Sequence, residues 1–248
     1  MTGILYLIPN TLGISAPDQS PLADVIPRDV QLLTARLDYF IAENAKTTRA
    51  FLKLVDGVHP LSQAIQQIEI AELNINTDPQ TLPSLLAPLL AGRDAGLISE
   101  AGMPAVADPG ANLVQLAHAH NIQVKPLVGP SSLLLAVMAS GLNGQSFAFN
   151  GYLPIDPTAR SKRIKQLEER SRQEKQTQFF IETPYRNANL LETLAATCHP
   201  ATMICIATDL TLASENIKTQ SAAKWKKELA AGIVPDFHKK PSVFLLLA

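Results

Sequence analysis

The residues best suited to chemistry lie in one turn-rich segment, "EAGMPAVADPG" at 100–110. It places two carboxylates, Glu100 and Asp108, among glycines and prolines, directly after the apolar run "AGLIS". Carboxylates accept protons or stabilise positive charge, and glycine allows a ligand to approach the backbone closely. The segment is therefore a candidate ligand-binding loop, with a purely structural turn as the alternative.

Several signatures of other chemistry are missing from the sequence. It has no GxGxxG or GxxxxGK[ST] loop, no HExxH helix and no GxSxG nucleophile elbow. His118 and His120 are expected on the surface, and Cys198 and Cys205 form no CxxC pair, so we expect no metal site. These features favour an organic ligand with hydroxyl groups over a triphosphate.

Short apolar runs alternate with helix-like stretches in the first half of the chain. The runs are 3–8, 37–42, 68–73, 95–99 and 122–128, and the helix-like stretches are 47–54, 82–91, 112–120 and 131–140. This alternation predicts βαβ units and a mainly parallel sheet.

Four turn-rich peptides each follow a predicted strand. "PNTLG" follows the first, "ENAKTTR" the second, the 100–110 segment the fourth and "GPSS" the fifth. In open parallel sheets, ligands bind at the carboxyl ends of the strands. Their common position therefore favours a ligand site.

The second half of the chain differs from the first in its pattern of elements and in its charge balance. A connector "GLNGQ" predicts a domain boundary, with an N-terminal α/β domain at 1–142 and a smaller mixed-sheet α/β domain at 143–248. The first part has 7 basic and 12 acidic residues, and the second has 14 and 10. This asymmetry permits a polyanionic partner for the second domain.

The composition is that of an ordinary α/β protein, with 46% hydrophobic and 17% charged residues among 248. The longest wholly apolar run, 133–139, is far shorter than the roughly 18 residues needed to span a bilayer. The N-terminus also lacks the basic start of a secretory signal. We therefore expect a cytoplasmic protein that contacts no membrane.

Residues 98–142, "ISEAGMPAVADPGANLVQLAHAHNIQVKPLVGPSSLLLAVMASGL", resemble a family pattern. The pattern, "VSDAGxPxxxDPGxxLVxxAxxxGIxVxPLPGPSA", marks the tetrapyrrole-methylase-like, S-adenosylmethionine-dependent methyltransferases. It is found particularly in the subfamily that methylates a ribose 2′-hydroxyl in small-subunit ribosomal RNA. Further segments match in the same order: "LYLIPNTLG", "AENAKTTRAFLK", "NGYLP", "FFIETPYRNANLLETL" and "ATDLTLASENI".

The resemblance implies a two-domain tetrapyrrole-methylase-like fold with S-adenosylmethionine bound in the cleft between the domains and no metal. By position, the implied donor contacts of the first domain are Pro9, Glu100, Ala101, Gly102, Met103 and Pro104, followed by Ser131 and Ser132 at a helix start. Those of the second domain are Tyr152, Leu153, Glu182, Tyr185, Ala207, Asp209, Leu210, Pro241 and Ser242.

The sequence departs from the family on the side expected to hold the methyl acceptor. The family's "AEDTR" is "AENAK" here, which introduces Asn44, Ala45 and Lys46. An amide cannot act as a base, and lysine lacks the guanidinium fork. Our catalytic candidates are Glu43, Lys46 and Arg49, with Glu100 and Asp108 as second choices. Alternatively, Glu43 and Asn44 cap a helix that begins near Thr47.

The stretch 160–175, "RSKRIKQLEERSRQEK", has seven basic and three acidic residues. It is interpreted either as a solvated helix with ion pairs such as Lys165–Glu169, or as a surface that contacts RNA phosphates.

Together these features predict an S-adenosylmethionine-dependent methyltransferase, active in ribosomal RNA processing, that acts on a ribose 2′-hydroxyl of small-subunit ribosomal RNA and forms a homodimer. The alternatives are a methylase of a precorrin-like tetrapyrrole or another small molecule, and a catalytically silent donor-binding module. The tetrapyrrole alternative is weaker, because methylases of that branch typically have a glycine-rich first loop, "GxGPG". This chain has "IPNTLG" at that position.

Overall fold

The computed structural model describes residues 1–13, 21–237 and 239–248. The described residues form two compact units, Met1–Ser131 and Ser132–Ala248. Each unit contains one five-stranded sheet with flanking helices. The predicted α/β class, with a parallel sheet followed by a mixed sheet, is confirmed.

The sheet of the first unit is wholly parallel and has the order β3-β2-β4-β1-β5. Its strands are β1 (Ile4–Ile8), β2 (Tyr39–Ala42), β3 (Glu69–Glu72), β4 (Ala95–Ile98) and β5 (Gln123–Pro126). At Gly96 in the central strand β4, a Cβ atom would lie 2.5 Å from Cδ1 of Ile8 and 2.9 Å from Cδ1 of Phe40. A larger residue there would therefore force the Ile8 and Phe40 side chains to shift.

Helices cover both faces of this sheet. They are α1 (Pro21–Val25), α2 (Arg28–Arg36), α3 (Ala45–Asp56), α4 (Leu82–Leu90) and α5 (Ala111–Ala119). Phe40 packs in one core cluster with Phe51 of α3, and its neighbour Tyr39 packs in the other with Leu86 of α4. Successive residues of a strand point to opposite faces, so a strand that is apolar throughout is buried on both sides.

The sheet of the second unit has the order β6-β7-β10-β8-β9, with one parallel pair, β6 and β7, and antiparallel pairs elsewhere. Its strands are β6 (Phe147–Tyr152), β7 (Thr177–Glu182), β8 (Met203–Thr208), β9 (Asn216–Ser221) and β10 (Ser242–Leu247). Its helices are α6 (Ser132–Ser140), α7 (Pro157–Glu174), α8 (Asn187–Thr197) and α9 (Ala222–Ala230).

The core of the second unit packs α7, α8 and α9 against the sheet, around Phe180, Phe244 and the fully buried Trp225. The indole N–H of Trp225 donates to the carbonyl oxygen of Ile204 at 3.0 Å. This bond satisfies the polar atom of the largest core side chain.

Helix α6 belongs to the second unit. The boundary between the units along the chain therefore lies between residues 131 and 132, whereas the sequence predicted it after residue 142. The helix packs against β8, β9 and β10, and the hydroxyl of Thr219 donates to the carbonyl oxygen of Ser140 at 2.7 Å. The glycine-rich connector that follows α6 marks a turn inside the second unit.

Candidate functional site

The four turn-rich peptides lie at one edge of the first sheet. Since β1, β2, β4 and β5 are parallel, the segments that follow them all leave from the carboxyl edge. The sequence prediction of a shared loop edge is confirmed.

Asn10 joins the loop after β1 to the loop after β4. Its backbone pairs with that of Gly102, with N–H to oxygen distances of 2.9 and 3.2 Å in the two directions. Its side-chain amide donates to the carbonyl oxygens of Ser99 and Glu100 at 3.1 and 3.0 Å. Asn10 is buried, so these bonds fix the relative position of the two loops. Sequence analysis missed this residue, although an asparagine directly after an apolar strand and a proline is a usable signal.

Glu43 joins the loop after β2 to the loop after β4. Its carboxylate Oε2 accepts from the backbone N–H of Glu100 at 3.0 Å, and its own N–H donates to the carbonyl oxygen of Ile98 at 3.1 Å. Of the three catalytic candidates, Glu43 is thus placed at the loop edge. Lys46 and Arg49 are exposed in the first turns of α3 and form no ion pair with the described residues.

Asn44 caps α3, which begins at Ala45. Its side-chain oxygen accepts from the N–H groups of Lys46 and Thr47 at 2.9 and 3.3 Å. The capping interpretation is confirmed for Asn44. Asp and Asn cap helices about equally well, so the Asp-to-Asn departure from the family pattern keeps the helix start.

Asp108 lies close to the same group of loops. The pKa of its carboxyl is raised to about 6, chiefly by burial and then by the charges of Glu43 and Glu100, while a hydrogen bond with Ser99 opposes the rise. A carboxyl with this pKa exchanges its proton near neutral pH, which is a property of catalytic acids and bases.

The loop after β4 has an unusual backbone. Ala105 and Ala107 both have φ of 64°, in the left-handed region that non-glycine residues seldom adopt. Gly102 has φ of 69°, and a Cβ atom there would lie 3.1 Å from Cδ2 of Leu12. The loop holds this shape through its contacts with Asn10 and Glu43.

The loops after β1 and β5 meet at Pro9. A Cβ atom added to Gly129 would lie 2.2 Å from Cγ of Pro9, so the Gly129 backbone packs directly against the Pro9 ring. The structure thus places Pro9, Gly102 and Ser131 in neighbouring segments of the carboxyl edge.

The loop after β4 lines two cavities in the first unit. One, of about 450 Å³, is lined by residues 10–13, by α3, and by Glu100 and Ala101. The other, of about 380 Å³, lies between the segment after β3 and residues 107–113. Both volumes are within the roughly 300–1,000 Å³ range of small-ligand sites.

In the second unit, a buried polar cluster lies at one end of the sheet. Ser242 pairs with Glu182 and with Thr208 in the strand register, and the Asn187 amide donates to the carbonyl oxygen of Lys240 at 3.0 Å. Glu182 Oε1 accepts from the Arg186 guanidinium at 2.6 Å. Glu182 Oε2 and Asn187 Oδ1 are buried and have no hydrogen-bond partner among the described residues. Such orphaned acceptors match a ligand that brings hydrogen-bond donors.

The other residues predicted in the second unit differ in exposure. Tyr152 and Tyr185 are exposed, whereas Leu153 packs in the hydrophobic core and could reach a ligand only through its backbone. Asp209 has φ of 50°, and its carboxylate accepts from the Ser214 hydroxyl at 2.7 Å. Its N–H donates to the carbonyl oxygen of Pro241 at 3.0 Å, which brings those two predicted residues together. Ala207 and Leu210 are buried nearby in the chain.

The basic stretch forms α7, which begins after the capping side chain of Asp156. Arg160 is buried, and two ion pairs, Arg170–Glu174 and Arg172–Glu169, run along the helix. Glu169 thus pairs with Arg172 rather than with the expected Lys165. Lys162 and Lys165 are exposed and form no ion pair within the described part of the chain.

Two further features concern metals and membranes. Across residues 1–13, 21–237 and 239–248, no group of three or more His, Cys, Asp or Glu side chains is arranged to hold a metal ion. None of the helices described in those ranges is long and apolar enough to cross a bilayer.

Comparisons with known proteins agree with these observations. The family model for tetrapyrrole (corrin/porphyrin) methylases matches residues 23–225. The ribosomal RNA small subunit methyltransferase I of Xylella fastidiosa is 31% identical over 222 residues, which cover 90% of this chain and 76% of that protein. The protein of the same name from Escherichia coli O157:H7 is 28% identical over 245 residues, covering 99% and 77%.

Solved structures show the same fold. The methyltransferase CobJ matches with a TM-score of 0.61 at 16% identity, covering 99% of this chain and 94% of that one. The uroporphyrin-III-C-methyltransferase of Thermus thermophilus matches with a TM-score of 0.52 at 16% identity, covering 100% and 93%. At this identity the likeness concerns the fold alone.

Proposed function

This chain belongs to the tetrapyrrole (corrin/porphyrin) methylase family and is a methyltransferase, and from that premise we propose that it methylates a ribose 2′-hydroxyl of small-subunit ribosomal RNA with S-adenosylmethionine as donor. The observation that carries the proposal is the similarity, at about 30% identity over 90–99% of the chain, to proteins named ribosomal RNA small subunit methyltransferase I.

The loops at the carboxyl edge of the first sheet are suited to the donor. Bound S-adenosylmethionine supplies an electrophilic methyl group on a positively charged sulfur. The Gly102 backbone allows close approach, and the carboxylates of Glu100 and Glu43 favour a positive charge nearby. Asn10 holds the loops after β1 and β4 together, which orients groups bound there and lowers the entropy lost on binding. Pro9, Glu100, Ala101, Gly102, Met103, Pro104, Ser131 and Ser132 remain the proposed donor contacts from these segments.

The polar cluster of the second unit also has chemistry that fits the donor. Amino and hydroxyl groups of S-adenosylmethionine would donate to acceptors such as Glu182 Oε2 and Asn187 Oδ1. Asn187 was not among the residues predicted from the sequence, and we add it here. The predicted contacts at Tyr152, Leu153, Glu182, Tyr185, Ala207, Asp209, Leu210, Pro241 and Ser242 stay predictions.

The proposed substrate also bears on location and assembly. Ribosomal RNA is a cytoplasmic substrate in bacteria such as those of the relatives, so the proposal includes a cytoplasmic protein. It also includes the homodimer expected from the sequence.

Mapping of ribose methylation tests this function. Ribosomal RNA is compared from cells with the protein, without it, and with it restored from a plasmid. One small-subunit ribose should lose its methyl group in the deletion and regain it on restoration. If the three maps are identical, the RNA substrate is wrong, and tetrapyrrole or other small-molecule acceptors become the next to test with purified protein.

A further inference from the structure

The 380 Å³ cavity is formed by two segments at the carboxyl edge of the first sheet. One is the segment after β3, which contributes Asn74, Ile75 and Thr77, and the other is the end of the loop after β4 with the start of α5, which contributes Asp108 and Asn112. The cavity therefore adjoins the loop that we propose to contact the donor, but is lined by a different part of that loop.

The cavity lining matches the chemistry of a nucleoside. Asn74, Thr77 and Asn112 offer amide and hydroxyl groups for hydrogen-bonding edges, and Ile75 and Leu82 offer apolar surface for the faces of a base ring. Ile75 is 90% exposed. Its side chain is therefore accessible at the rim of the cavity, where it can contact the face of a ring.

Asp108 is the one ionisable side chain among the described residues that line this cavity. The charged groups that act on it are Glu43 from the loop after β2 and Glu100 from the loop after β4, and it is hydrogen-bonded with Ser99. Glu43 does not line the cavity, and its Oε2 already accepts from the N–H of Glu100. Asp108 is thus the carboxylate available to a group bound in the cavity.

We propose that this cavity binds the nucleoside that accepts the methyl group, and that the Asp108 carboxylate takes the proton from its 2′-hydroxyl. This inference rests on the proposed function and adds to it a binding site and a catalytic residue. In the step, the hydroxyl oxygen forms a bond to the methyl carbon. The electron pair of the broken carbon–sulfur bond remains on sulfur, and the hydroxyl proton passes to Asp108.

The near-neutral proton exchange of Asp108 suits this role. With a pKa of about 6, the carboxyl is ionised, and so able to accept a proton, at pH 7 and above. General-base catalysis of this kind contributes about 10²–10⁴-fold.

The first experiment uses Asp108→Asn in the full-length protein. The substrate is the RNA fragment that contains the ribose identified by mapping. We expect single-turnover methyl transfer by the wild type to rise with pH, to half its maximum near pH 6, and then to level off. The single-turnover rate of the variant should be about 10²–10⁴-fold lower than that of the wild type and should not rise with pH. Its donor affinity, measured by calorimetry, should stay within about twofold of the wild-type value. A variant with the wild-type rate and pH profile would overturn the role of Asp108.

The second experiment tests the cavity without relying on catalysis. Asn112→Trp should fill the cavity and weaken binding of the fluorescently labelled RNA fragment at least tenfold, measured by anisotropy without donor. His118→Trp is the matched control, because His118 is exposed on the same helix α5 and does not line the cavity. Equal RNA affinity of Asn112→Trp and wild type would overturn the binding site. Failure of the wild type itself to methylate the fragment would instead overturn the proposed function.

Discussion

At the scale of single residues, the buried side chain of Asn10 connects two loops of the site. Its amide satisfies two carbonyl oxygens of the loop after β4, and its oxygen accepts from the N–H of Thr11 at 2.8 Å. A buried carbonyl that loses its partner costs about 1–3 kcal/mol. Asn10 therefore links the stability of the first unit to the shape of the loop.

Replacement of Asn10 tests this link. Asn10→Ala should lower the free energy of unfolding by about 2 kcal/mol and weaken donor binding, because the loop after β4 loses its fixed position. Urea denaturation and calorimetric titration measure the two effects. Asn76→Ala, at an exposed position, controls for loss of an asparagine. Unchanged stability of Asn10→Ala would show that water replaces its bonds.

Asp108 should make stability depend on pH. The pKa of its carboxyl is about 6 in the folded protein, against an ordinary value of 3.8, so the folded state binds the proton more tightly than the unfolded chain does. Its contribution to stability is fully present below the unfolded pKa and is lost as pH rises through about 6.

Asp108→Asn removes this pH dependence. Relative to wild type, the variant should gain about 1 kcal/mol in free energy of unfolding between pH 5 and pH 8, a value discounted for the partial exposure of the carboxyl. Urea denaturation at both pH values measures this, with Asp24→Asn on the exposed side of α1 as control. A difference from wild type that stays constant with pH would contradict the raised pKa.

At the scale of elements, contact between loops sets the geometry of the carboxyl edge. The loop after β5 packs against Pro9 so closely that Gly129 has no room for a side chain. This contact connects the two strands β1 and β5 beyond their hydrogen-bonded register.

Gly129→Ala should lower the thermal unfolding temperature, because overpacking of this kind costs about 1–3 kcal/mol. It should also weaken donor binding by moving Pro9. Gly144→Ala is the matched control, since a Cβ atom at Gly144 meets nothing within 4 Å. Equal unfolding temperatures for the two variants would mean that the loop relaxes without cost.

Helix α7 has fewer basic side chains available for phosphate contacts than the seven basic residues of its sequence suggest. Arg160 is buried, Arg163 is half-buried beside Asn150, and Arg170 and Arg172 pair with glutamates. Lys162 and Lys165 remain on the exposed side of the helix, and Lys175 is exposed at its C-terminal end. The two interpretations of the basic stretch therefore apply to different residues of the same helix.

The double variant Lys162→Ala/Lys165→Ala should weaken RNA binding and reduce the slope of log affinity against log salt by about 1.4–1.8, at roughly 0.7–0.9 per lost phosphate contact. Arg170→Ala/Arg172→Ala makes the same change in net charge at paired positions and should alter the slope less. Anisotropy titrations at several salt concentrations decide this. Equal slopes for the two double variants would contradict phosphate contacts by Lys162 and Lys165 and would support the interpretation of α7 as a solvated helix.

At the scale of the whole molecule, charge and stability are distributed over two units. Residues 132–142 contain no charged side chain, so the acidic first part and basic second part stay the same whichever boundary is used. Each unit has its own hydrophobic core. A ligand that binds the folded protein stabilises it by mass action.

S-adenosylmethionine at 100 times its dissociation constant should raise the free energy of unfolding by about 2.7 kcal/mol. The effect should persist with a chelator present, because the proposed donor contacts include no metal. Chemical denaturation with and without donor measures it, and adenosine serves as a weaker-binding comparison. No stabilisation at millimolar donor would contradict the proposed cofactor.

The sequence by itself determined the elements whose residues are apolar without interruption. Strands β1, β2 and β4 are of this kind, because a parallel strand buried on both faces is apolar throughout. The edge strands β3 and β5 contain charged or polar residues and are partly exposed, but they also lie within the predicted runs. It did not reveal α2 or β9. The buried side of α2 includes Gln31 and Thr34, and β9 has a single apolar residue, Ile217. Both elements are stabilised by the neighbours against which they pack.

The site divides in the same way. Chain order placed four loops after parallel strands, and their common edge follows from that topology alone. Only the tertiary structure decided that Asn10 joins two loops and that Arg160 is buried. It also placed Asp108, a second-choice candidate from the sequence, in a cavity, whereas the first choices Lys46 and Arg49 line neither cavity. The reason is physical: burial and hydrogen bonding depend on distances between residues far apart in sequence, which local composition does not encode.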